Sequence, residues 1–491
     1  MQPSFFNRLN TEKGGDSLLN IWLNTLSHIG GALGELLLNP FCYISILLIV
    51  LMYHRQIVVE RKMFHTRLQG LGGLTWRNLL GGLIGGLAVS IVFMFVGASL
   101  SIEAIYYVWI ISFVLMLFSI RFVSLIYSVA ILAILQFVLQ LTPVNEGQDI
   151  LYHIQSIILG TNIPALFCLA GLLYVVEALL IRWQSTSLAG PIYIEGKRGR
   201  QIGGYQMHLY WVMPLLLMVP ATSDGMRLPW TPFFIEGAGG NGYMLMGLPV
   251  MIGFTQIVMS SLPSHKVKLV SRRVLVYGLV VIAFSFISLW WSPFIVVTSI
   301  LGIGLLEWLV WHGKSEERQQ SPLFLHPQKG LKILAVQPAS PADQLGILPG
   351  ETLLKINSLR LNNQEDLHAA LRVNPAFCKL EVLNYSGESK FLQRAVYDGD
   401  HHQLGMILVP DETSQEALTN RSQALSLWQI LNPKRGLVGK RRAIPGQNSS
   451  QRHSQIQIES QSENQSQGHE QRENLHEDWP PSDQANKTIQ S

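Results

Sequence analysis

Charge is what this chain has least of. Only 14% of its 491 residues are Asp, Glu, Lys or Arg, while 48% are hydrophobic, a balance too apolar for a soluble protein of this length. Most of the chain is therefore expected in lipid. Cysteine is scarce as well: Cys42, Cys168 and Cys378 stand far apart, the first two within predicted membrane spans, so neither a disulfide framework nor a Cys-based metal site is written here. Met1 to Asn10 lack the basic cluster, apolar core and cleavage site of a secretory signal, and a retained first span is expected. A net charge of +4 gives no reason to expect nucleic acid as a partner.

Catalytic signatures are missing too. No His-Glu-x-x-His places two imidazoles and a base on one helix face, and no Gly-x-Ser-x-Gly is present. Tyr397-Asp-Gly-Asp400 falls in a soluble stretch and reads as a turn, and His401-His402 has no third ligand at metal spacing. The expectation is a protein that is not an enzyme and has no cofactor.

What the chain does have is apolar runs. With roughly 17 to 22 residues per membrane helix, spans are predicted near 36–53, 79–99, 104–120, 122–142, 163–182, 205–220, 243–262, 274–291 and 293–311. The fold class is thus a polytopic α-helical membrane protein of eight or nine spans over 36–311. Residues 1–35 form an N-terminal segment, in which Ser17 to Leu26 alternates apolar and polar residues as an interfacial helix or an additional inserted segment does. Basic residues cluster in alternate loops: Arg55, Arg61, Lys62, Arg67 and Arg77, then Arg121, then Arg182, Lys197, Arg198 and Arg200, then Lys266, Lys268, Arg272 and Arg273, then Lys314 and Arg318. Arg227 alone stands on the other side. The positive-inside rule then puts the basic loops and everything after residue 311 in the cytoplasm.

Glu177 and Glu307 lie near the basic ends of their spans, where each can snorkel, Glu177 within reach of Arg182. His208 and Pro214 in the sixth span read as packing and kink features. Trp76, Trp183, Trp290, Trp291, Trp308 and Trp311 mark helix ends as an interfacial belt does.

A soluble segment follows at 325–410. Residues 330–336 read as a strand, Ser340-Pro341 opens a short helix that Gly346 ends, Leu348-Pro349-Gly350 is a turn, and Leu353 to Ile356 is a second strand. Asn362 or Asn363 caps a helix over Gln364 to Arg372, and Lys379–Leu383 and Phe391–Val396 make a hairpin. This order resembles bacterial PDZ domains, with Gly350-Glu351 in place of the usual Gly-Asp and Asn357-Ser358 in place of Asn-Gly. The resemblance implies a circularly permuted α+β module. Its peptide-binding groove would comprise Leu404, Gly405, Met406 and Ile407 facing His368 and Leu371, and a peptide or C-terminal ligand would add as a strand. The alternative is that these residues only complete a small barrel.

From about residue 411 to 491 a Gln-, Ser- and Asn-rich tail cannot bury enough apolar surface to order itself, and is expected to be disordered. Leu425 to Leu431 with the following Lys434, Arg435 and Lys440 to Arg442 reads equally as a contact for anionic lipid or a partner helix and as a solvated linker.

A polytopic body with basic cytoplasmic loops and a terminal PDZ-like module resembles the MinJ family, division-site topology proteins of Gram-positive rods, best over Lys329 to Leu371 and in the architecture of 36–311. The resemblance implies a membrane scaffold at septum and poles, with a DivIVA-like protein, a MinD-like protein and the lipid bilayer as partners. A sensor or regulatory subunit of a membrane protease or signalling system is the rival class, and a transporter a third.

Overall fold

The computed structural model describes residues 14–64, 68, 70–96, 100–141, 150–196, 200–221, 225, 234, 242–374, 376–395 and 404–410, all within one unit, Met1–Leu437. The tail after 410, Tyr397-Asp400 and His401-His402 lie outside the described residues.

The first half is helical: α1 (Gly14–Leu38), α2 (Pro40–Phe64), α3 (Leu71–Val96), α4 (Ile102–Phe118), α5 (Leu125–Leu141), α6 (Ile150–Leu159) and α7 (Ile163–Leu188). Three strands follow, β1 (Gly190–Glu195), β2 (Gln201–Pro220) and β3 (Tyr243–Val258), then α8 (Pro263–Trp290) and α9 (Phe294–Gln319). By length and composition α2, α3, α7, α8 and α9 can each cross a membrane, and α4 and α5 are shorter apolar helices. Seven of the nine expected spans are therefore helices in the structure. The six tryptophans expected at the interface are all exposed. The helix α7 is the centre of this body, and Gly171 on it meets Gly278 of α8 with no side chain between the two backbones.

The expected spans at 205–220 and 243–262 are instead the antiparallel strands β2 and β3, in register from Tyr205↔Val258 to Pro220↔Tyr243. At about 3.3 Å per residue, twenty residues of strand reach roughly 65 Å, more than twice a bilayer core. The hairpin therefore runs out of the apolar helices at one end.

A strand among apolar helices must satisfy its outward polar groups, and at several positions the structure shows how β2 does so. Its first part, Gln201 to Gln206, is paired with β1. Tyr53 of α2 then donates to the carbonyl of His208 at 3.2 Å. The backbone N–H of Leu216 donates to the Ser90 hydroxyl at 2.8 Å, and that hydroxyl donates to Gly86 O at 2.7 Å. The Met218 carbonyl accepts from Leu100 N at 3.1 Å. These residues share one parity, so Pro214 points to the same edge and has no N–H to satisfy. Its rung partner on the other strand is Pro249, which removes an outward N–H there too. Pro214 is thus an edge-silencing residue rather than a helix kink. The ring of His208 lies 3.2 Å from the Thr255 hydroxyl across the hairpin.

The helix that lies along this edge is α3, through Gly82, Gly86 and Ser90, while Gly81 and Gly85 of the same buried stripe also meet Gln184, Val176 and Leu180 of α7. A methyl group on Gly82 would fall 2.2 Å from Val212 O, and one on Gly86 2.6 Å from Pro214 O. Absence of a side chain is what lets helix and strand backbones touch.

Glu177 is buried, Arg182 is exposed, and the two form no ion pair among the described residues. Five residues apart, they sit on different faces of α7, whereas helical neighbours are three or four apart. Glu307 has a cross-helix partner instead: Arg121 at 2.5 Å, with the Tyr127 hydroxyl donating to its other oxygen at 2.7 Å.

The terminal module contains β4 (Leu331–Val336), α10 (Pro341–Gln344), β5 (Thr352–Ile356), β6 (Leu359–Arg360), α11 (Gln364–Val373), β7 (Phe377–Leu383), β8 (Ser389–Ala395) and β9 (Met406–Leu408). Its elements fall where the sequence puts them. The sheet runs β8-β7-β5-β4-β9, with β6 beside β5. Ser340 caps α10, and Asn363 with Asp366 forms a reciprocal capping box on α11. Leu331, Ile333, Leu353, Ile356, Leu367 and Leu380 form the core.

Candidate functional site

Among the described residues the strand β9 is the last in its sheet and pairs with β4 alone, as Ile333↔Leu408, Ala335↔Ile407 and Val336↔Met406. The N–H and carbonyl of Ile333 bond toward the β5 side, with Glu351 O at 2.9 Å and Gly350 N at 2.6 Å. Its rung with Leu408 is therefore a non-hydrogen-bonded pair, and the polar groups of Leu408, and by alternation of Met406, face the open edge. Such a row is a template for an added strand.

Leu404 and Gly405 carry positive φ of 54° and 78° and turn the chain into this strand. The Leu404 carbonyl accepts from Ala342 N at 3.0 Å, and Gly405 O accepts from Gln337 N at 2.8 Å. A Cβ on Gly405 would lie 2.2 Å from the Cβ of Ser340, so only glycine fits beside the residue that caps α10. Substituting Gly405 would break that turn before it reported on any ligand.

Of the six groove residues expected from sequence, Leu404, Met406 and Leu371 share one apolar cluster with Leu367, Ala370 and Leu408. His368 is half-buried on α11. Ile407 points the other way, into a second cluster with Leu334, Ala335, Val409, Tyr205 and Phe324.

That second cluster is a seat on the helical body, which sequence reasoning missed. Tyr205 of β2 donates to Leu334 O, Gly203 N donates to Phe324 O at 3.0 Å, and Tyr193 of β1 donates to Leu408 O at 2.8 Å. The last contact falls on the open edge itself. Phe64 meets the Tyr193 ring edge-on at 4.9 Å and fixes it. The available signal was Gly203-Gly204 before an aromatic residue, which just ahead of an assumed span reads only as a loop.

A junction supports the seat. Glu317 near the end of α9 accepts from Met259 N, Ser260 N and Ser260 Oγ at 3.0 to 3.1 Å, and its other oxygen lies 2.7 Å from Lys266 Nζ. Leu323 N donates to Met259 O, and Lys332 Nζ to Leu323 O, both at 2.8 Å. Burial pulls the Lys332 ammonium below its usual pKa. In the module, burial pushes the Tyr385 phenol up to about 12, with Glu351 adding to the shift. Its hydroxyl donates to Pro349 O. Glu351, the residue in place of the usual Asp, accepts from Leu348 N at 3.1 Å and pairs with Lys390. Among the described residues no three His, Cys, Asp or Glu side chains converge as metal ligands would.

Apolar helices, a strand hairpin packed among them and a small terminal module that ends in an edge strand define a membrane-associated protein. No family model matches the chain. It is MinJ-like: it is similar to the cell division topological determinant MinJ of Bacillus subtilis (strain 168), 28% identical over 396 residues, which are 79% of this chain and 97% of that protein. It is likewise similar to the probable cell division topological determinants MinJ of Lacticaseibacillus paracasei and Lacticaseibacillus casei (strain BD-II), each 28% identical over 259 residues, 50% of this chain and 66% of theirs.

Proposed function

We propose that this chain is a non-enzymatic multi-pass membrane scaffold in division-site selection, whose terminal module is a permuted PDZ domain. The module faces the cytoplasm, takes a peptide as an added strand along Met406 and Leu408 against α11, and so recruits division proteins of the DivIVA and MinD kinds to septum and poles. The observation that carries this reading is the similarity to MinJ along 97% of that protein's length, joined to an edge strand that, among the described residues, has a strand neighbour on one side. The basic loops supply the sidedness.

The test uses full-length chains. Leu371→Lys places a charge on the half-buried groove face of α11 and leaves the Gly405 turn intact. Expected are normal membrane insertion, loss of partners from a mild-detergent pull-down, a fluorescent fusion that no longer gathers at the septum, and long cells. Unchanged recruitment would remove the groove from the mechanism. Uniform membrane fluorescence of the parent fusion, with normal cell length in a deletion strain, would turn the reading to the sensor class.

A further inference from the structure

The apolar helices α8 and α9 lie side by side, and at their basic end a cavity of about 240 Å³ opens between them. On α8 its wall includes Arg272, Val276 and Val280, one stripe at four-residue spacing, with Arg273 and Tyr277 beside it. On α9 it is Leu305, Trp308 and Leu309. Val276 and Trp308 are each 54% exposed, so the cavity opens sideways, away from the body.

The cations around it are unequal. Arg273 pairs with Glu316 at 3.0 Å, and Lys266 with Glu316 and Glu317 at 3.2 and 2.7 Å. Those charges are compensated. Arg272 is exposed and has no ion pair among the described residues, so one uncompensated guanidinium stands at the mouth of an apolar slot. Trp308, stacked on His312 at 5.2 Å, lies at the level where amphipathic rings meet headgroups.

We infer that this groove binds one anionic phospholipid, the phosphate held by Arg272 and an acyl chain lying along Val276, Val280, Leu305 and Leu309. Charge complementarity selects the occupant. A guanidinium fork takes two phosphate oxygens at once, an anionic headgroup leaves no positive group to be repelled, and the sideways opening admits a chain from the bilayer. Basic pockets between membrane helices recognise headgroups in this way.

The test is native mass spectrometry of the full chain in detergent, titrated with dioleoyl phosphatidylglycerol or dioleoyl phosphatidylcholine. Expected is a first adduct that saturates at one phosphatidylglycerol, preferred at least fivefold over phosphatidylcholine. R272Q, at an exposed position, should weaken it about tenfold, as one charge-assisted contact implies. V280W should fill the slot and weaken it comparably while Cys168 stays protected from thiol reagents. R182Q, at an exposed arginine elsewhere, should leave it unchanged. Equal uptake of the two lipids, an adduct indifferent to R272Q, or equal sensitivity to R182Q would overturn the site. So would displacement by free glycerol phosphate, which would make the ligand a soluble anion, or a lipid-independent dimer lost in R272Q, which would seat a second copy in the groove.

Discussion

Removing the carboxylate of Glu317 should open the junction between helical body and module. Its side chain is 5% exposed and that of Lys266 3%, and its Oε2 holds two backbone N–H groups at 3.0 and 3.1 Å. A hydrogen bond to a charged acceptor is worth about 1.5–3 kcal/mol, and breaking a buried pair about 3–5 kcal/mol. Lys266 keeps Glu316 at 3.2 Å, which offsets part of the loss. For E317A we therefore expect local opening to become easier by about 3 kcal/mol, roughly a hundredfold in its equilibrium constant. Amide hydrogen exchange of the segment 257–262, followed by mass spectrometry on the full chain, reads this directly. E317Q keeps an amide oxygen and loses the charge, so its acceleration should be roughly tenfold, about 1.4 kcal/mol. K266M leaves the carboxylate with its backbone donors and should accelerate exchange less than E317A. Exchange within twofold of the parent in E317A would show that the carboxylate does not hold the link.

Two further substitutions probe the hairpin and the seat. G82V drives a side chain into the backbone of Val212 and should cost about 1–3 kcal/mol, read as roughly 5- to 150-fold faster labelling of Cys168, which is 1% exposed. G73A, with nothing within 4 Å, should leave labelling unchanged, and equal behaviour of the two would refute the edge-sealing role of α3. G203L would place its Cβ 2.8 Å from Leu334 Cδ1 and 3.0 Å from Phe324 Cβ. Protease cleavage in 320–330 should then quicken while Cys378 in the module core stays protected, and an unaltered cleavage rate would mean that the module is not held by this contact.

Seven helices of the body and most elements of the module were legible because each is coded locally, whereas α6 fell in a stretch read as a loop and the two-residue β6 was not read. Caps such as Ser340 and the Asn363-Asp366 pair, and the apolar spacing of Leu367 and Leu371, act within a few residues. The hairpin was not legible, since β2 and β3 are apolar on both faces and as long as a membrane helix, so hydropathy alone fits either state. The decisive marks were Pro214 and Pro249 with Gly247 and Gly253, which weaken a helix yet suit an edge sealed by a glycine-rich neighbour. Of the residues assigned to a groove, Leu404, Met406 and Leu371 share one apolar cluster, whereas Ile407 follows strand alternation to the opposite face. Nothing local signals the seat, because Tyr193 and Tyr205 meet Leu408 and Leu334 across more than a hundred residues.

Under the proposed function, peptide uptake and the seating of the module would compete for one atom. An added strand would donate an N–H to Leu408 O, the acceptor that Tyr193 of β1 already uses at 2.8 Å, so binding would compete with that hydroxyl. Y193F removes the competing donor while Phe64 still holds the ring edge-on. With one hydrogen bond worth about 0.5–1.5 kcal/mol, affinity should rise about 2- to 10-fold. Fluorescence anisotropy, using a labelled peptide from a partner captured in the pull-down, measures it on the full chain. Y205F serves as the comparison. It loosens the seat through Leu334 O on β4, away from the open edge, and should change affinity less. If Y193F binds no better than the parent, or both variants gain equally, the peptide does not reach Leu408 O. The tyrosine would then be a fastening alone, and the hairpin would set the module's orientation without gating its edge.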